Sequence, residues 1–334
     1  MGQKFSSFWD QSFFIDSPTF TDKHLPDQTG KVHIITGGYA GIGYHLSRRL
    51  YAKNATLYLI GRSSSKASAA IQRLKGECPS STGRIEYIYL DLADLTTIKP
   101  AVDQFVTLEK RLDVLVNNAA IMVPPSGSKS VQGYDLQTAT NVYGPFLFTV
   151  LLHPLLAHTA RTAETGTVRL VWCASHAPDL FGPPGGVTFV PNTVDVEVRG
   201  MNMDMIKEDF KGGPSYAQSK AADIILATET ARRWGEEGII STSLNPGNLR
   251  TELVRDRSWF EKLVAGWLNH PAEMGAWTEL YAGWSPEITP KMNGCYVIPW
   301  GRVGRYNEEL EKAVHGGKGD KLWTVCEQIV GRYT

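Results

Sequence analysis

Thr36-Gly37-Gly38-Tyr39-Ala40-Gly41-Ile42-Gly43 comes directly after the apolar run Val32-His33-Ile34-Ile35. The apolar run reads as a buried strand, and the glycines as a tight turn that opens a helix. Glycine lets the backbone turn sharply and come close to a ligand with no Cβ in the way. The first N–H groups of the new helix have no helical partner, and with the helix dipole they favour an anion. Strand, glycine-rich turn and helix in this order can cradle the pyrophosphate of a dinucleotide. Gly37, Tyr39, Gly41, Ile42 and Gly43 are then the expected contacts. A glycine-rich turn alone is weak evidence, so the reading needs support from the rest of the chain.

From residue 30 onward, short apolar runs alternate with longer stretches of helical periodicity. Strands are expected at 32–36, 56–60, 85–90, 112–116, 168–173, 239–244 and 294–298. Helices are expected at 42–53, 66–76, 94–109, 132–157, 215–235, 250–268, 271–283 and 307–329. Such alternation, with right-handed crossovers, predicts an α/β fold. It is a single doubly wound domain whose seven-stranded, mostly parallel sheet carries helices on both faces. No internal repeat or long linker divides the chain. Residues 1–29 read as an aromatic-rich arm and residues 30–334 as the domain. Gly182-Pro183-Pro184-Gly185-Gly186 and Lys211-Gly212-Gly213-Pro214 mark 176–214 as an insertion over the site. A C-terminal extension begins after residue 299.

Lys plus Arg and Asp plus Glu both number 34, so the formal net charge is zero. No field of one sign favours nucleic acid or an acidic partner. Cys78, Cys173, Cys295 and Cys326 form no CxxC pair. That argues against a zinc site or a redox dithiol, and for free thiols in a reducing, cytoplasmic setting. No apolar stretch approaches the ~20 residues of a membrane span, and the first residues lack the apolar core of a signal peptide. Met1-Gly2-Gln3-Lys4-Phe5-Ser6 does fit the pattern for N-myristoylation of Gly2. Phe5, Phe8, Trp9, Phe13 and Phe14 then read in two ways: as part of a membrane-surface anchor, or as an arm packed on the domain or a partner subunit. One acyl chain holds a membrane only marginally, so membrane contact is expected only if Gly2 is acylated.

The second strand ends in Gly61-Arg62-Ser63 with no carboxylate. An acidic residue there would accept the ribose 2′-OH of NAD. Arg62 instead offers a planar donor fork to a 2′-phosphate and Ser63 a hydroxyl, which favours NADP(H). A solvated surface arginine is the alternative. Asp91 and Leu92 end the third strand, where Asp91 can hydrogen-bond adenine or cap a helix. Asn117-Asn118-Ala119-Ala120 come after the fourth. Asn118 can tie neighbouring strands, and Ala119 lets a cofactor approach the backbone; an ordinary turn would use the same residues.

Tyr216 and Lys220, in Tyr216-Ala217-Gln218-Ser219-Lys220, share a helix face. A free phenol titrates near pH ~10, too high for efficient proton transfer at neutrality. A nearby ammonium lowers that value, so Tyr216 can give a proton to a carbonyl oxygen or take one from an alcohol. Ser175 ends the fifth strand, at the sheet edge where α/β folds place ligands, and its hydroxyl can hold the substrate oxygen. No GxSxG elbow makes it a nucleophile; His176 reads as a loop or pocket-wall residue. Asn141 sits inside an apolar helix, where its amide needs partners. A water leading from Lys220 to solvent would be one; a helix bend before Gly144-Pro145 is the other reading. Asn245-Pro246-Gly247 ends the sixth strand. Pro246, Gly247 and Thr251 can offer donors to a nicotinamide carboxamide, or simply begin a helix.

Taken in order, TGGYAGIG, Asp91-Leu92, NNAA, Asn141, Ser175, YAQSK and NPGNLRT resemble the short-chain dehydrogenase/reductase family over roughly residues 30–300. The resemblance implies a Rossmann-type fold and a catalytic tetrad of Asn141, Ser175, Tyr216 and Lys220. It further implies transfer of the pro-S hydride at nicotinamide C4 and ribose binding by Lys220. Gly61-Arg62, the long 176–214 segment and Pro299-Trp300-Gly301-Arg302 resemble the retinol-dehydrogenase-like and WW-domain-oxidoreductase-like branch. Many fungal members of that branch serve secondary metabolism, and the resemblance implies that this chain is one of them. Ala120 stands where the family usually has glycine, and Ser175 lies 41 positions before Tyr216, farther than in compact members. The resemblance suggests a homodimer or homotetramer built on the helices at 132–157 and 215–235.

Leu180, Phe181, Phe189, Met201, Met203 and Met205 in the insertion suit either a large apolar ligand or core and interface packing. The same holds for Trp259, Phe260 and Trp267. No ring of basic residues marks an anionic substrate. The expected activity is NADP(H)-dependent interconversion of a bulky, mostly apolar ketone or aldehyde with its alcohol. Imine reduction or cyclisation on the same scaffold is a competing reading, as is a non-catalytic nucleotide-sensing role. Loss of Tyr216 or Lys220 would have favoured the last; both are present.

Overall fold

Apolar runs such as Val32-His33-Ile34-Ile35 leave no polar face for water, so they form strands covered on both sides. The computed structural model describes residues 9–13, 15–192, 204–208, 212–250 and 270–334. Its main sheet contains β1 (Val32–Thr36), β2 (Thr56–Gly61), β3 (Arg84–Tyr89), β4 (Val114–Asn117), β5 (Arg169–Cys173), β6 (Ile240–Leu244), β7 (Tyr296–Ile298) and β8 (Arg302–Gly304). They pair in the order β8-β7-β6-β5-β4-β1-β2-β3. All pairs are parallel except β7–β8. The seven expected strands are therefore present, and β8 adds an eighth. Pro299–Gly301 turns the chain back as a hairpin, and three residues pair antiparallel at the edge. The connection order reverses at β1, which opens a crevice at the carboxyl ends of β1 and β4.

α1 (Gly41–Tyr51), α2 (Ser64–Glu77) and α7 (Ala272–Trp284) cover one face of the sheet. α3 (Ile98–Leu108), α4 (Leu136–Ala160), α6 (Gly213–Trp234) and α9 (Lys318–Val330) cover the other. The short α5 (Ala177–Phe181) and α8 (Glu308–His315) pack beside α6. The helix expected at 307–329 is broken at Gly316-Gly317 into α8 and α9. α4 spans 25 residues and holds an 18-residue window with a mean hydropathy of 1.2, long and apolar enough by length and composition to cross a membrane. That corrects the expectation that no stretch reaches span length. Its apolar window is 67% buried inside the fold, as in a core helix packed on the sheet.

α9 lies across α4 and α6, with Trp323 edge-on to Phe146 at 4.9 Å and to Trp234 at 5.5 Å. The chain's own C-terminal helix thus covers part of the surface expected to join subunits. In the insertion, Phe189–Pro191 pairs antiparallel with Asp204–Ile206. Met205 is buried and Phe189 packs against the same core, whereas Phe181 is exposed. Of the expected helix 250–268, Arg250 is extended and pairs with Pro271; the rest, with Thr251, Trp259, Phe260 and Trp267, lies outside the described residues, as do Met201 and Met203.

Candidate active site

An open cleft of about 500 Å³ runs along the carboxyl edge of the sheet. At its centre β1 passes into α1 through the glycine-rich turn. Gly37 has φ +67° and Gly41 +52°, the left-handed region that a Cβ disfavours. A Cβ on Gly43 would lie 2.7 Å from Asn118 Nδ2 and 2.9 Å from the Gly37 carbonyl. Asn118 Nδ2 donates to the Thr36 carbonyl (2.7 Å), and Thr36 Oγ1 accepts the N–H groups of Asn118 and Ala119 (both 2.9 Å). These bonds tie β4 to β1 beneath the turn. α1 begins with no side-chain cap and no acidic residue in its first turn. Ala40, Gly41 and Ile42 line the cleft there. A cradle with no room for a Cβ and an uncapped helix start fits a pyrophosphate.

Gly37, Tyr39, Arg62, Ser63, Asp91, Leu92, Asn118 and Ala119 line the same cleft. Arg62 is exposed at the rim and has no carboxylate partner among the described residues. Ser63 caps α2, its Oγ accepting the Lys66 N–H at 3.4 Å. Asp91 Oδ1 accepts the Ala93 N–H at 3.0 Å. The next turn of 3-10 helix is capped by Asp94, so Asp91 shapes its own turn at the cleft edge.

Tyr216 and Lys220 reach the cleft from α6. Lys220 Nζ is buried and donates to the Cys173 carbonyl at 2.7 Å and to Asp223 Oδ2 at 2.8 Å. Burial opposes the ammonium charge, but Asp223 and the Tyr216 phenol outweigh it, so the Lys220 pKa is raised. Ser175, just beyond β5, accepts the Ala177 N–H on Oγ at 3.1 Å. Tyr296 holds its carbonyl at 3.2 Å. Ser175 and Gly247 are not among the lining residues; Pro246 is. Gly247, at φ +94°, sits so close to the Trp300 ring that a Cβ would meet it at 2.7 Å.

Asn141 stands in a π-turn, Ala139–Tyr143, within α4. Its Oδ1 accepts the Ile121 N–H, and Nδ2 donates to the Ile121 carbonyl (both 2.9 Å) and to Ser219 Oγ (3.1 Å). The amide is thus spent on protein partners. In the backbone, Gly144 N–H bonds to Ala139 and bypasses Thr140, while Pro145 has no N–H for the Asn141 carbonyl.

Several residues escaped the sequence reading. Among the described residues the apolar wall is built by Ile121, Met122, Pro124, Pro125 and Leu136, and Leu180, Phe181, Phe189 and Met205 do not line it. Cys173 Sγ donates to Glu279 Oε1 at 3.1 Å, and burial pushes that carboxyl up to about 7. The N-terminal arm docks by Phe20 and Leu25, which enter the core, and by polar contacts at residues 10–12. Asn245 Nδ2 donates to Gln11 Oε1, and Asn248 Nδ2 to Ser12 Oγ (both 2.9 Å). Arg302 donates to Asp10 at 3.3 Å. Gln11 and Ser12 are buried while Trp9 and Phe13 stay partly exposed; Phe5, Phe8 and Phe14 lie outside the described residues. Asp223, three residues after Lys220, was within reach of the helical spacing alone.

A family described as short chain dehydrogenase matches residues 31–176. A short-chain dehydrogenase/reductase of Phomopsis amygdali is 41% identical over 331 residues, covering 96% of this chain and 95% of that protein. Another, bet4 of Neocamarosporium betae, is 37% identical over 339 residues, covering 98% and 94%. A solved structure of an uncharacterized Mycobacterium paratuberculosis protein superposes with a TM-score of 0.66 at 26% identity, covering 94% of this chain and 98% of that one. The doubly wound sheet, the glycine cradle at the β1–α1 turn and relatives matched along nearly their whole length agree: the chain belongs to the short-chain dehydrogenase/reductase family of oxidoreductases.

Proposed function

We propose that the chain is an NADP(H)-dependent carbonyl reductase, or alcohol dehydrogenase in reverse, acting on a bulky and mostly apolar ketone or aldehyde. The observation that carries the reading is the buried Lys220 ammonium one helical turn from Tyr216 on the cleft wall. A bound nicotinamide cofactor supplies or accepts the hydride. Gly37, Gly41, Ile42 and Gly43 cradle its pyrophosphate, with Tyr39 beside them. Arg62 and Ser63 take the 2′-phosphate, and Asp91, Leu92, Asn118 and Ala119 line the nucleoside floor. Pro246, Gly247 and Thr251 serve the nicotinamide end. Ser175 holds the carbonyl oxygen, Tyr216 protonates it, and Lys220 holds the cofactor ribose. Asn141 anchors Ile121 through its amide, which leaves its backbone carbonyl to hold the water that resupplies protons.

The wall of Ile121, Met122, Pro124, Pro125 and Leu136 supports an apolar substrate. Service in secondary metabolism and a cytoplasmic location, where four free thiols stay reduced, complete the reading. Arg62→Ala tests the cofactor choice. Losing a charge-assisted phosphate contact is worth about 1.5–3 kcal/mol, or about ten- to a hundredfold in affinity. NADPH binding by calorimetry is expected to weaken by that factor while NADH binding is unchanged; equal loss for both would remove Arg62 from the phosphate site.

A further inference from the structure

Lys220 is the ammonium expected to favour the Tyr216 phenolate, yet it carries a carboxylate of its own. Asp223 Oδ2 lies 2.8 Å from Lys220 Nζ, and both side chains are 4% exposed. The other Lys220 acceptor, the Cys173 carbonyl, carries no charge. We propose that Asp223 is a positioning residue: it shares the Lys220 ammonium with Tyr216 and keeps the phenol protonated at neutral pH. At neutral pH the resting pair thus carries the proton that carbonyl reduction consumes. The inference rests on the catalytic reading of Tyr216 and Lys220 and deepens it by naming the group that sets the protonation state of the phenol.

In a buried site an isolated ammonium beside a phenol favours the phenolate strongly, because little solvent screens it. A carboxylate on the same ammonium offsets that field. Among the described residues the surroundings supply few other charges. Cys173 on β5 and Cys326 on α9 face the pair, and burial pushes both thiols up, so they stay neutral. Glu279 on α7 interacts with Cys173 from the opposite face of the sheet. Burial raises the Asp223 carboxyl, while the Lys220 ammonium at 2.8 Å pulls it back and favours the ionised pair. In the reductive direction the proton leaves Tyr216 Oη for the substrate oxygen. The phenolate left behind recovers a proton from water by way of Lys220, and Asp223 keeps its charge throughout.

The test reads Tyr216 directly. Tyrosinate absorbance is measured against pH with no nucleotide added, in the wild-type and Asp223→Asn chains, each subtracted from its Tyr216→Phe counterpart. Asn is isosteric and keeps an acceptor for Lys220. Removal of the carboxylate is expected to lower the Tyr216 midpoint by about one unit or more. An unchanged or higher midpoint would overturn the proposal. Asp223→Ser, checked for fold by circular dichroism, serves if the Asn variant does not fold. The failure of the functional reading is visible separately: Tyr216→Phe that still reduces phenanthrenequinone with NADPH refutes that reading, while the titration still decides whether Asp223 controls the phenol.

Discussion

Replacing Tyr216 by Phe is expected to lower carbonyl turnover by about a hundred- to ten-thousandfold, the usual contribution of one general acid, with NADPH affinity unchanged. The phenol is buried against the cleft wall, and Phe fills the same space. Only the proton donor is removed. Ser175 and the cradle remain, so some turnover should persist with water as the proton source. Lys220→Met would be a poorer experiment. It strips the buried Asp223 carboxylate of its counter-ion, and breaking such a pair costs about 3–5 kcal/mol. Lost activity would then report unfolding as much as chemistry. NADPH consumption with a bulky ketone or quinone measures the Tyr216→Phe effect. Wild-type turnover in that variant would place the proton donor elsewhere.

The second large effect is expected at Gly43. Alanine favours a helix over glycine by about 1 kcal/mol, so an exposed helical glycine should gain from the change. At Gly43 the added Cβ would meet Asn118 Nδ2, the Gly37 carbonyl and Gly38 Cα at 2.7, 2.9 and 3.0 Å. Two of these are backbone atoms of the turn, and Asn118 is fixed by its bond to Thr36. Overpacking of this kind costs about 1–3 kcal/mol, and it falls on the β1–β4 tie that shapes the cradle. Gly43→Ala is expected to lower Tm and to abolish NADPH binding at concentrations that saturate the wild type. Gly76→Ala is the control, because that helical glycine has nothing within 4 Å of its Cβ position. It should raise Tm slightly and leave binding intact. Gly43→Ala binding NADPH normally would show that the turn does not hold the nucleotide.

The sheet was legible because most of its strands, such as Val32–Thr36, are short apolar runs rich in β-branched residues, as buried parallel strands tend to be. β8 was not, since a three-residue edge strand has no pattern of its own and forms only because the Pro299–Gly301 turn folds it back. The break between α8 and α9 had a visible signal in Gly316-Gly317, but the apolar periodicity runs across it. In the site, partners close in sequence were readable: Tyr216 with Lys220 by helical spacing, and the glycines by their turn. Partners distant in sequence were not. Nothing before folding says that the Asn141 amide will be consumed by Ile121, or that Gln11 will cross the molecule to meet Asn245. The apolar wall at Ile121–Pro125 was missed for a related reason, since a loop after a strand carries no periodicity to reveal which side chains face a ligand.

Side-by-side calorimetric titration of the wild-type chain with NADPH and NADH tests most directly whether the cleft at the carboxyl edge of the sheet is a dinucleotide site. One nucleotide is expected to bind per chain, with NADPH held more tightly than NADH. Binding of neither nucleotide would contradict that assignment, because the glycine-rich turn, Arg62, Tyr216 and Lys220 all line that one cleft.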